Sequence, residues 1–143
     1  MDPEDLLDAF PRVRIDVDNA AFHEALLDHR VVVNRCQDCG HWHQPPRPLC
    51  PRCWSWSVAP AEVAGSGTVA LVTVLRQGPQ RPGVDYTDGY AVVAVELDEQ
   101  PGLRLAGGVV GTPAAEVSIG DRVQAVVRTD DGAAPRIGFE VIR

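Results

Sequence analysis

The 143-residue sequence contains no lysine; all 13 of its basic residues are arginine. That absence removes Schiff-base chemistry, a lysine general base and a P-loop lysine from the functions open to the chain. No apolar run approaches the roughly 18 residues needed to cross a bilayer. The first ten residues carry four acids and no arginine. A secretory signal needs a basic start and an apolar run, so the chain reads as cytoplasmic and free of the membrane. Charge of the positive sign is scarce overall: 20 acids against 13 arginines leave a net charge of −7, which disfavours nucleic acid and anionic lipid. Catalytic signatures are also missing. There is no H-E-x-x-H, no Walker loop and no dinucleotide G-x-G-x-x-G. Gly65-Ser66-Gly67 lacks the spacing of a nucleophile elbow, and Glu96, Asp98 and Glu99 fall at a strand end and the turn after it. Nothing here makes an enzyme on its own.

What is present is concentrated. All four cysteines and all three tryptophans lie within residues 31–63. Cys36-Gln37-Asp38-Cys39 and Cys50-Pro51-Arg52-Cys53 are two C-x-x-C knuckles separated by a ten-residue, proline-rich spacer. Each knuckle can bring two sulfurs to one side of an ion, and the spacer can return the second pair to the first. Four soft thiolates in a tetrahedron suit zinc, one ion per chain. Iron in a rubredoxin-like site would use the same ligands. Disulfides are disfavoured in an unsecreted chain, and a thioredoxin-like pair would open a helix after a strand. Four cysteines close the shell and leave no position for water, so the metal is structural. His41 and His43 lie near it as surface or neighbouring groups; His23 and His29 read as solvent-facing.

The flanking segments supply two further parts. Residues 1–34 read as two short helices. Asp2 caps the first, Pro3 sits at its first position, and Leu6, Leu7 and Phe10 recur at helical spacing. Asp18 or Asn19 caps the second, whose apolar face is Phe22, Ala25 and Leu26. Residues 35–63 form the ribbon. Residues 64–143 read as β: a β-branched run from Thr68 to Leu75, then Tyr90 to Leu97, Leu103 to Val110, and the alternating Arg122 to Thr129 and Arg136 to Ile142, with one helical turn within Thr112 to Glu116. Gly107 and Gly108 suggest a bulge in the third strand, and Asp131-Gly132 a turn between the last two. Five strands with a helical element after the third is the order of an OB barrel. The fold class is therefore mainly β, with N-terminal short helices, a four-cysteine zinc ribbon and a five-stranded OB-fold barrel.

Several stretches resemble one known family. Asp18-Asn19-Ala20-Ala21-Phe22-His23-Glu24-Ala25-Leu26 looks like its N-terminal helix, and Arg35-Cys36 through Cys39-Gly40, running on from Pro45-Pro46-Arg47-Pro48 to Cys53, like its zinc ribbon. Gly65-Ser66-Gly67-Thr68-Val69 and Tyr90 to Asp98 are similar to its first two barrel strands. These are the rubredoxin-like zinc-ribbon OB-fold proteins that accompany thiolases. The resemblance covers residues 16–143 and leaves the first helix outside. It implies a non-catalytic subunit that binds and stabilises a thiolase-superfamily enzyme (a thiolase, synthase or retro-aldolase) acting on acyl-CoA, as in lipid or steroid metabolism. Some members pair with hot-dog-fold hydratases, and in some complexes the barrel borders the coenzyme A site.

On that reading Phe22, Leu26, Trp42, Trp54 and Trp56 are candidates for partner docking, since aromatics dominate interface hot spots. Alternatively, they shield the metal and the ribbon–barrel seam. Arg76 and Arg81, around the long Gln77 to Gly89 loop, are candidates for a CoA phosphate, or are simply solvated. The rival function is a nucleic-acid-binding zinc-ribbon/OB module. That needs a basic groove with stacking aromatics, whereas residues 64–143 hold seven arginines against ten acids and only Tyr86, Tyr90 and Phe139.

Overall fold

The computed structural model describes residues 1–130 and 132–143. The chain forms two compact units, residues 1–63 and 64–143.

In the first unit, helix α1 (Pro3–Ala9) starts as its sequence dictates. The Glu4 amide donates to Asp2 Oδ1 at 3.0 Å, and Pro3 opens the helix. Helix α2 (Ala20–Leu27) has Asn19 at its N-cap position, as expected, but without a side-chain capping bond. Neither Asp18 nor Asn19 caps it through its side chain. Asn19 Oδ1 instead accepts the Asp16 amide, and Asp16 Oδ1 accepts the amides of Asp18 and Asn19, locking a turn ahead of the helix. The helix ends with the Arg30 amide donating to the Ala25 carbonyl and the His29 amide to Leu26, with His29 at φ 56°. This is the paired bonding of a Schellman stop, with histidine where glycine is usual.

His23 does not face solvent freely, as the sequence suggested. Its ring stands edge-on between Phe10 and Phe22, at centroid distances of 5.0 and 5.2 Å. Ala25 and Leu26 are buried, and α2 packs on strand β1. Strands β1 (Val32–Cys36), β2 (Trp42–His43) and β3 (Val58–Glu62) form an antiparallel sheet in the order β2-β1-β3. The register runs Val32 to Glu62 and Cys36 to Val58 on one side, and Arg35 to Trp42 on the other.

The second unit is a closed barrel. Strands β4 (Ser66–Leu75), β5 (Tyr90–Leu97), β6 (Arg104–Val110), β7 (Arg122–Arg128) and β8 (Arg136–Val141) run in the order β4-β5-β6-β8-β7 and close back onto β4. A short 3₁₀ turn at Ala114–Glu116 follows the third strand. All neighbours are antiparallel except β6 and β8, which run parallel, pairing Gly108 with Gly138 and Val110 with Glu140. The interior is filled by alternate residues, as a pleated strand requires: Val93, Val95 and Leu97 from β5, with Val69, Val123 and Phe139 across from them, are all buried.

The bulge is not where the glycines pointed. Gly107 and Gly108 stay in register with Val93 and Val92. The register slips in β4 instead, between Val69 and Leu71. The two glycines answer a packing need. A Cβ at Gly108 would overlap the Tyr90 hydroxyl, and one at Gly107 would press on the Ile137 carbonyl and the Phe139 ring. Of the Asp131-Gly132 turn expected between β7 and β8, Asp131 lies outside the described residues. The acids at the end of β5 are structural. Glu96 Oε1 accepts the Gly102 amide, Glu99 Oε2 accepts the Ala64 amide, and Asp98 takes a two-pronged bond from Arg122 at 2.7 Å on each prong. The Arg122 hydrogen bond lowers the Asp98 pKa, and the Arg122 pKa rises in return.

No helix of the described residues is long and apolar enough to cross a membrane.

Candidate metal centre

The turn after β1 carries Cys36 and Cys39; the loop between β2 and β3 carries Cys50 and Cys53. The two loops repeat one backbone geometry. In the first, the Gly40 amide donates to the Cys36 carbonyl at 3.0 Å and the Cys36 amide to the His41 carbonyl at 2.9 Å. In the second, the Trp54 amide donates to the Cys50 carbonyl and the Cys50 amide to Ser55, both at 2.9 Å. The residue after each second cysteine takes a left-handed backbone, Gly40 at φ 78° and Trp54 at φ 63°. Glycine does this freely; a bulky L-residue does it at a cost of about 1–2 kcal/mol. Side chains tie the loops together. Ser55 Oγ donates to Asp38 Oδ2, and Ser57 Oγ donates to Gln37 Oε1 at 3.1 Å.

This geometry gathers all four sulfurs within 4.8 Å of one another. Cys36 Sγ lies 3.6 Å from Cys53 Sγ, and Cys39 Sγ lies 3.7 Å from Cys50 Sγ. These are not disulfide distances. Zinc–sulfur bonds of about 2.3 Å in a tetrahedron put the sulfurs about 3.8 Å apart, so the spacing fits a shared ion. Backbone amides point at the sulfurs, Cys39 N at Cys36 Sγ and Arg52 N at Cys50 Sγ.

The titration of the cluster tells the same story. The Cys39 amide draws Cys36 down to about 6. Burial works against Cys50, but the amides of Cys53 and Arg52 outweigh it and lower the thiol. The Ser55 amide favours the Cys53 thiolate, yet desolvation and the neighbouring sulfurs push it up to about 12. Four sulfurs this close resist carrying four negative charges together. A divalent cation removes that conflict, because it binds the thiolate form of each. The donor set fits one structural zinc, with all four positions taken by protein.

The other sequence candidates scatter. Trp42 is buried, with the Arg35 guanidinium 4.8 Å over its ring; Arg35 Nε also donates to the Gly40 carbonyl at 3.0 Å. Leu26 is buried too, and Phe22 is half-buried against His23. Leu26 and Trp42 are therefore spent on this unit's own core and leave the docking set, because a side chain out of water has no surface to offer. Phe22, Trp54 and Trp56 remain, the two tryptophans both 75% exposed. Arg76 and Arg81 are exposed around the loop after β4. Neither His41 nor His43 joins the sulfurs, but His43 is buried with no hydrogen bond to either ring nitrogen, and burial lowers its pKa. The sequence reading missed two features here: that burial and the strained backbone of Trp54. The second was within reach, since aligning the two knuckles puts Trp54 where Gly40 stands.

Comparison with known proteins adds to this geometry. Residues 23–57 match the family model for the ChsH2 rubredoxin-like zinc ribbon domain, and residues 61–128 match that for the ChsH2 C-terminal OB-fold domain. A DUF35 domain-containing scaffold protein of Methanocaldococcus jannaschii is 31% identical over 104 residues, 68% of this chain and 71% of that protein. The chain belongs to the ChsH2 (DUF35) family. Its ChsH2-type ribbon is thus a zinc ribbon by family as well as by donor set. A probable enoyl-CoA hydratase alpha subunit of Thermomonospora curvata is 37% identical over 110 residues, 77% of this chain. The chain spans only 33% of that relative's length, and 52% of a Pyrococcus furiosus DUF35 scaffold protein to which it is 33% identical. Among solved structures, a chain of the Ltp2-ChsH2(DUF35) aldolase superposes with TM-score 0.79 at 33% identity, covering 91% of this chain and 98% of its own. A DUF35 protein from Sulfolobus solfataricus superposes with TM-score 0.63 at 15% identity and shares the fold.

Proposed function

We propose that this ChsH2-family chain is a non-catalytic accessory subunit that docks on and stabilises an aldolase- or thiolase-type enzyme acting on acyl-CoA. The carrying observation is the second knuckle: a metal site with no open position, flanked by two tryptophans that water reaches on most of their surface. A closed four-thiolate shell supplies folding energy rather than chemistry. An indole at φ 63° costs the chain stability and, so exposed, returns little packing. Such strain is retained where function uses it. The relatives named as scaffold proteins, and the chain found in the Ltp2-ChsH2(DUF35) aldolase, support the same role. The hydratase name among the relatives makes a hot-dog-fold hydratase a second candidate partner.

Trp54 and Trp56 are the docking anchors in this reading. Arg76 and Arg81 are assigned to CoA phosphates where the partner's substrate site meets the barrel. Nucleic acid is left out, since no excess of positive charge is available in either unit.

The test is co-expression with thiolase-superfamily candidates. The chain should co-elute with its partner, and Trp54→Ala and Trp56→Ala should each weaken the complex by about 2 kcal/mol while retaining zinc. Turnover by the isolated chain, or full activity and solubility of the partner without it, rejects the proposal.

A further inference from the structure

Strand β4 is longer than its barrel neighbour requires. Its register with β7 covers only Ser66 to Thr68, opposite Gln124 to Arg122. Val69 still donates to the Asp121 carbonyl and accepts the Gly120 amide, each at 2.9 Å. The bulge follows, and beyond it Leu71 to Leu75 pair with β5 alone, ending at Leu75 opposite Tyr90. Among the described residues no backbone group bonds to the other edge of this stretch. An antiparallel strand turns every second N–H and C=O away from its neighbour, so this edge offers unpaired donors and acceptors. Its side chains are open as well: Leu71 is 55% exposed, Val74 36% and Leu75 37%.

Natural proteins blunt such edges with charge, proline or short length. Leu71-Val72-Thr73-Val74-Leu75 has none of these. Instead, it reads the same in both directions. Laid antiparallel against an identical strand, with Thr73 on the axis, it sets Leu71 against Leu75, Val72 against Val74, and Thr73 against itself. Each pair is apolar on apolar or hydroxyl on hydroxyl, the kinds that stabilise a sheet. The next pair outward sets Ala70 against Arg76, so no like charges meet although the chain carries −7. A two-fold interface requires this self-complementarity.

We propose that the Leu71–Leu75 edge of β4 pairs with the same edge of a second copy of this chain, across a two-fold axis at Thr73. Five residue pairs fall short of the roughly 1,000 Å² of a durable interface, so the dimer is concentration-dependent.

Sedimentation of the zinc-loaded full chain over a concentration series tests this. Wild type should self-associate, and Thr73→Glu, which opposes two carboxylates on the axis, should weaken association roughly tenfold or more. Register is read by oxidative cross-linking against the wild-type background. Thr73→Cys should link two copies; Leu75→Cys should not, because Leu71 lies opposite; the Leu71→Cys/Leu75→Cys double variant should. The cross-linking series decides the matter even if Thr73→Glu folds poorly. A wild-type chain that stays monomeric up to about 1 mM overturns the proposal. So does association that Thr73→Glu leaves unchanged, or Leu75→Cys linking as readily as Thr73→Cys. A monomeric chain whose co-elution with the enzyme partner is lost in Thr73→Glu assigns the edge to a strand of that partner, and overturns it too.

Discussion

His43 shows how much a single side chain's surroundings decide. Strand β2 holds it opposite Asn34, buried, with both ring nitrogens unbonded. Burial penalises the charged ring, so the folded-state pKa lies below the ordinary 6.5. Just below pH 6.5 the unfolded chain therefore binds more protons than the folded one, and stability is lost as pH falls through that value. Urea midpoints measured from pH 7.5 down to 5.5 should decline, and His43→Leu should decline less, the difference between them opening below about 6.5. None of this was legible beforehand. A strand of two residues has no periodicity to read, and a histidine four positions from a cysteine invites a surface or metal-side placement. The four cysteines, by contrast, were fully legible, because a chelating knuckle is a local device: four residues and a left-handed residue after them complete it.

At the scale of elements, alternation was the dependable signal and glycine the misleading one. Arg122–Arg128 and Arg136–Val141 lie within one residue of the bounds expected from alternating Arg122, Gln124 and Arg128 with Val123, Ala125 and Val127, and from the inward Ile137, Phe139 and Val141. The bulge went to the wrong strand because a glycine pair looks alike whether the backbone kinks or a neighbour needs room. Here Tyr90 and Phe139 need the room, and which residue lies across a barrel depends on partners far along the chain. The second helix starts after Asn19 as expected, but the Asn19 side chain bonds backward to Asp16, a choice that competes with capping. Gly67 makes the point testable. Its Cα sits in β4 so near β5 that an added Cβ would run into the Glu96 carbonyl and Val95 Cγ1. Backbone cannot swing aside as a side-chain tip can. Gly67→Ala should cost about 2 kcal/mol of barrel stability, read as a lower denaturation midpoint. Gly102→Ala, which meets nothing within 4 Å, should cost less, though its own φ of 79° carries some strain.

Over the whole molecule, the two units are built on contacts of very different reach. The metal site closes between Cys36 and Cys53, 17 positions apart. The barrel joins Ser66 to Gln124, 58 positions apart, and stays open until β8 slots between β6 and β7. Local contacts form faster than distant ones, since less chain entropy is lost in making them. The aromatic residues divide along the same line. Every tryptophan (42, 54 and 56) lies in the first unit, and both tyrosines (86 and 90) lie in the second. The chain thus carries a separate optical reporter for each half of its folding. When denatured protein is diluted into zinc-containing buffer, indole emission should recover first and tyrosine absorbance later. With a chelator in place of zinc, the indole signal should fail to recover while the tyrosine signal returns at its own pace. A single shared time course under both conditions would mean that the barrel and the ribbon fold as one cooperative body.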